Sequence, residues 1–155
     1  AAQTGLSFAV LQPGLLEFAA EEADFLARVM GETTGRAIAE LVQKALGQGE
    51  TIRGLRKALQ ESASFSRTRA QLVARTETTR AWNGAQRRSL SRWQSEQPEG
   101  VAVVKTWLSS RDARVRPEHN EMDGEQVKID EVFSNGLMQP GEPNCRCTLT
   151  CDVQE

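Results

Sequence analysis

His119, Cys145 and Cys147 bring one imidazole and two of three thiols into the last third of this 155-residue chain. With a carboxylate or water as fourth donor they form the soft and borderline ligand set that zinc prefers. Asp112 is the favoured carboxylate, because it opens the segment Asp112-Ala113-Arg114-Val115-Arg116-Pro117-Glu118-His119. In an extended Cys-x-Cys both thiols project to one side about 6.6 Å apart at the backbone, so modest bending brings both sulfurs to one ion. Cys151 shares their parity but lies roughly 13 Å further along a regular strand, and reads as a small core residue.

The same residues allow two other readings. Without metal, His119 would bond a backbone carbonyl or Asp112, Cys145 and Cys147 would pack as small apolar side chains, and Asp112 and Asp123 would serve turns or caps. As a catalytic set, Cys145, His119 and Asp112 have the types of a thiol nucleophile, its base and an orienting carboxylate. A zinc-bound water near His119 and Glu118 would likewise suit a hydrolase. No Gly-rich phosphate loop accompanies them, and residue types alone do not fix a geometry. Binding rather than turnover is therefore expected, with zinc as the implied cofactor.

Charge is the second source of chemistry. The formal net charge is −2, yet residues 53–92 hold ten cationic residues and only Glu61 and Glu77, a balance of +8 against −10 elsewhere. Such separation favours a polyanion or an acidic partner on one face, unless the arginines are solvated or paired within the fold. At 100° per residue, Arg69, Arg80 and Arg87 fall within about 20° of one another on a helix, and Arg88, next in sequence, is a further candidate contact. This basic row would touch double-stranded DNA through its phosphates without reading bases, or dock on an acidic protein surface.

These groups need a scaffold, and the pattern supplies one of class α+β: a helical bundle with one long helix, packed on a small, mostly antiparallel β-region. After Pro13-Gly14 an amphipathic pattern runs to Met30, with Gly31 as its stop. Ile38, Leu41, Val42, Ala45 and Leu46 predict a second helix ending near Gly47-Gln48-Gly49, and Thr51 caps a third carrying Ile52, Leu55, Ala58 and Leu59. Ser64 or Ser66 starts the longest helix, to about Trp93, on which Ala70, Ala74, Ala81 and Ala85 form a stripe for close packing. Glu77 lies beside that stripe and, if buried, needs cations. Arg114 and Arg116 alternate and could hold it as a structural ion pair. Residues 101–108 form an apolar, β-prone run, Asp123-Gly124 turns the chain before Val127 and Ile129, and a final strand is expected over 148–153.

One domain is expected over 1–155, with a helical extension (1–34), a helical half (35–96) and a β-rich half holding the His/Cys cluster (97–155). No run approaches the roughly 18 apolar residues of a membrane span. No basic flank and apolar core mark a signal peptide, and three cysteines are too few for a secreted disulfide scaffold. A soluble, cytoplasmic protein without membrane contact is expected. The Ala at position 1 suggests processing or an excised domain.

Several ordered blocks carry a family resemblance: Ala74-Arg75-Thr76-Glu77 with Asn83, Lys105-Thr106-Trp107, the Asp112 to His119 segment with Asp123-Gly124, and Pro143-Asn144-Cys145-Arg146-Cys147. Over about residues 35 to 150 the chain resembles the phage Mu F-like family of minor head, or head morphogenesis, proteins. The resemblance implies a phage or prophage protein in the virion interior near the portal, present in the host cytoplasm during assembly. It also implies portal and coat proteins as partners, and contact with packaged DNA.

Overall fold

The computed structural model describes residues 32–63 and 65–154. The helix expected before Gly31 lies outside the described residues. Helix α1, Glu32–Gly47, buries Ile38, Ala39, Val42, Ala45 and Leu46 on one face. It ends as its glycines predict: Gly49 takes φ 67°, its N–H donates to Leu46 O at 3.1 Å, and Glu50 N–H donates to Ala45 O at 2.8 Å. That pair of bonds satisfies two of the last carbonyls. Thr51 Oγ1 then accepts from Gly54 N at 3.1 Å, capping α2, Ile52–Ala63, whose Leu55 and Leu59 complete the helical core.

The long helix α3, Arg67–Ser95, starts at Ser66, whose hydroxyl accepts from Arg69 N at 3.3 Å. Twenty-nine residues make it about 43 Å long, enough to serve both halves of the fold. Ala70, Ala74, Ala81 and Ala85 are all at most 1% exposed. Ala70, Ala74, Ala81 and Ala85 belong to the core shared with α1 and α2, whereas Leu90 joins a second core under the sheet. The alanine stripe is thus the packing face that its spacing predicts.

The sheet has order β2-β1-β3 and is antiparallel throughout. Its centre, β1 (Ala102–Leu108), pairs with β2 (Gln126–Lys128) through Lys105↔Val127 and with β3 (Thr148–Gln154) through Lys105↔Cys151. Residues 103–107 of β1 are all buried, which explains why the strand is largely apolar rather than alternating. A short helix, α4 (Pro117–Glu121), has Pro at its start and directs His119 into the sheet core. No described helix is long and apolar enough to cross a membrane.

Candidate functional site

The cluster forms where α4 meets the loop entering β3. Arg116 is extended and Pro117 starts α4, which leaves the His119 ring 2% exposed and edge-on to Trp107, 5.2 Å between centroids. On the other side, Cys145 N–H donates to Glu142 O at 2.9 Å, and Asn144 takes a left-handed φ of 60°. Asn tolerates that conformation better than most residues. The turn points both thiols inward, so Cys147 N–H reaches Cys145 Sγ at 3.4 Å, and the Cys-x-Cys is folded tightly rather than merely bent from a strand.

His119 Nδ1 is 3.5 Å from Cys145 Sγ and 3.6 Å from Cys147 Sγ, and the three atoms lie within 4.8 Å of one another. Tetrahedral zinc with ordinary Zn–S and Zn–N bonds would set nitrogen and sulfur about 3.6 Å apart. His119 Nε2 lies 2.5 Å from Glu142 Oε2. A carboxylate on the far ring nitrogen fixes the tautomer that leaves Nδ1 with its lone pair toward the sulfurs. The residues present therefore fit a zinc ion.

The thiols differ in acidity. A hydrogen bond from Cys145, with help from His119, pulls Cys147 down to about 6, while that same bond and burial push Cys145 up. Burial pushes Cys151 up to about 11, and it sits opposite Lys105 in the sheet, outside the cluster. This agrees with its reading as a core residue.

Asp112, expected as fourth ligand, is not in the cluster. Both its oxygens are taken by the Arg146 guanidinium, and Oδ1 also accepts from Arg114 N at 2.9 Å. These bonds hold its carboxyl well below the usual carboxylate range. The carboxylate at the site is instead Glu142, which the sequence pattern did not single out. The expected ion pair is likewise redistributed. Arg116 pairs with Glu142 at 3.5 Å and donates to Pro143 O at 2.7 Å, and Arg114 lies beside Asp112 at 3.9 Å. Glu77 is buried, as its place beside the alanines implies.

What holds the thiol loop against α3 is a residue with no role assigned above. Asn83 is 1% exposed; its Nδ2 donates to Pro140 O at 3.0 Å, and its Oδ1 accepts from Thr148 Oγ1 at 3.1 Å and Leu149 N at 3.2 Å. Thr76 adds a second tie, accepting from Asn144 N at 2.9 Å. Asn83 and Thr76 fall on the side of α3 opposite the alanine stripe, so helical spacing gave no sign that they would be buried and need partners.

The basic row is not one continuous solvent-facing surface. Arg69 is exposed and stacks over Phe65 at 4.7 Å. Arg87 Nε donates to Gln139 Oε1 at 3.0 Å and its Nη1 lies 3.7 Å from Asp130. Arg80 packs its stem against Gly141, where an added Cβ would come within 2.5 Å of it. Arg88 is half-buried. The angular spacing is right, but the β-half docks on this side of α3 and takes up its C-terminal arginines.

The fold and site together define an α+β protein in which a long helix is stapled to a small sheet beside a buried His-Cys-Cys cluster. The family described as phage Mu protein F-like matches residues 36–150, and the chain belongs to it, which makes it a phage head-related protein. It is similar to the uncharacterized protein YqbB of Bacillus subtilis, 25% identical over 158 aligned positions, covering 92% of this chain and 50% of that one. It is also similar to the NAD(+)–arginine ADP-ribosyltransferase EFV of Enterococcus faecalis, 27% identical over 113 positions, or 66% of this chain and 23% of that protein. The chain thus spans half the length of one curated relative and under a quarter of the other. No solved structure matches it.

Proposed function

We propose that this chain is a minor head protein that acts in head morphogenesis inside the capsid, near the portal. It binds portal and coat proteins, and packaged DNA through its basic helical half, rather than turning over a substrate. In this reading His119, Cys145 and Cys147 hold one zinc ion that locks the thiol loop to α4, with Glu142 orienting the imidazole. The observation that supports a zinc clamp is the pair of nitrogen–sulfur separations of 3.5 and 3.6 Å in a site whose three donors are all buried. Bound zinc would neutralise the thiolates and cross-link two segments 26 residues apart, and metal binding of this kind contributes directly to folding.

A thiol hydrolase is the competing reading, favoured by the lowered pKa of Cys147 beside His119. Its difficulty is access: Cys145 and Cys147 are 4% and 3% exposed. Metal analysis and calorimetry separate the two. The clamp predicts about one zinc per chain, and a melting temperature that falls on chelation and in Cys145→Ala and His119→Ala. Far less than one zinc, with an unchanged melting temperature, would refute it. The assembly role is tested in a phage carrying the gene: Cys145→Ala/Cys147→Ala should lower the yield of filled heads, and normal yield would reject it.

A further inference from the structure

The β-half engages arginines at one end of α3, while others meet at a groove near the opposite end. Arg56 of α2 and Arg67 and Arg75 of α3 line a groove of about 370 Å³ together with Thr68, Gln71 and Asn144. No carboxylate is among its lining residues. Arg56 Nη1 makes only a long contact to Gln71 Oε1, 3.5 Å, and its Nε is buried with no hydrogen-bond acceptor. Arg56 is half-buried, so its guanidinium is partly dehydrated and weakly bonded, and its Nη groups keep donor capacity for a ligand oxygen.

We infer that this groove holds the phosphodiester backbone of duplex DNA without reading its bases. The inference rests on the DNA contact proposed above and moves that contact from the expected row to the groove. Arginines mixed with hydroxyl and amide side chains are the groups that commonly hold phosphate oxygens. The single apolar lining residue, Leu72, offers a protein partner no buried anchor, and no aromatic side chain lines the groove as a stacking platform for single strands.

Asn144 joins the groove to the thiol loop. Arg75 Nη1 donates to Asn144 Oδ1 at 3.0 Å, and Asn144 directly precedes Cys145. The loop that carries the thiols therefore also sets the position of one groove arginine.

The test is fluorescence anisotropy with a random-sequence duplex of about 20 base pairs, between about 50 and 200 mM salt. The groove variant Arg56→Gln/Arg67→Gln/Arg75→Gln is compared with a control of equal charge, Lys44→Gln/Arg53→Gln/Lys128→Gln, whose three side chains are exposed outside the groove. The groove variant should lose at least about tenfold in affinity, and its log–log salt slope should fall by about 2 to 3, while the control stays within about threefold of wild type. Should the triple variant not fold, Arg67→Gln alone, at an exposed position, should lower the slope by about 1. Equal losses in both triple variants would overturn the groove in favour of diffuse charge. Wild type binding DNA with the groove variant unchanged overturns only the groove, whereas no binding by wild type at low salt removes the DNA contact itself. Displacement of DNA by poly-glutamate at equal charge concentration would also overturn it, assigning the groove to an acidic protein.

Discussion

Replacing Asn83 with Leu should damage this protein more than any change to a thiol-distant surface residue, and the cost can be worked from its bonds. The amide is 1% exposed and ties Pro140 O, Thr148 Oγ1 and Leu149 N to the middle of α3. Leucine fills similar space but leaves the Leu149 N–H and the Pro140 carbonyl without their partners in the interior. Each unsatisfied group costs about 1–3 kcal/mol, while the Thr148 hydroxyl, on an exposed residue, turns to water at little cost. The expected loss is about 3–4 kcal/mol, or a fall of about 10 °C in melting temperature for a domain of this size. Because the loop held by Asn83 carries Cys145 and Cys147, zinc affinity should fall by about 10- to 100-fold, as for other groups that support metal ligands from outside. Urea unfolding with and without zinc reads the first quantity, and competition with a chromophoric chelator reads the second. A loss below about 1 kcal/mol with zinc affinity unchanged would show that the loop does not depend on this staple.

Other consequences are open to direct measurement. Asp112→Asn should leave zinc stoichiometry unchanged, because the carboxylate pairs with Arg146 outside the cluster; metal analysis showing a loss would restore Asp112 as a ligand. Ala81→Leu should destabilise by about 1–3 kcal/mol through overpacking of a stripe position only 1% exposed, read by urea unfolding, and an unchanged midpoint would mean the stripe has slack. Burial lowers Lys105 to about 8 from its ordinary 10.5, so the unfolded chain binds the extra proton between those values. Stability relative to Lys105→Met should therefore rise with pH from about 8 to 10.5, by at most about 3 kcal/mol. A difference that stays flat or falls across that window would contradict the assigned burial.

Where local chemistry decided the structure, the sequence was a sufficient guide. Gly49, Thr51 and Ser66 each occupy the cap or stop their types predict, and the alanine stripe packs because small side chains at helical spacing can do little else. The buried strand followed from its β-prone, largely apolar run, which carries Lys105 inside with it; Nζ is rescued by Met138 O at 2.8 Å. Loop closure was not legible. Whether Asp112 or Glu142 reaches His119 depends on how two irregular segments meet, and neither has a period to read. The five residues of α4 are too few for periodicity to mark. Arg69, Arg80 and Arg87 were placed correctly around α3, but which part of that face the β-half covers is a property of docking, not of the helix.

The division of α3 between two cores bears on how the molecule comes apart. Ala70 to Ala85 serve the helical core, and Leu90 serves the sheet core with Trp107, Phe133 and the three cysteines. Neither core needs the other to be closed; they share an axle rather than an interior. Opening can then proceed in stages, with amides on one side exchanging while those on the other stay shielded. A chain built this way can yield at one end without unravelling at the other.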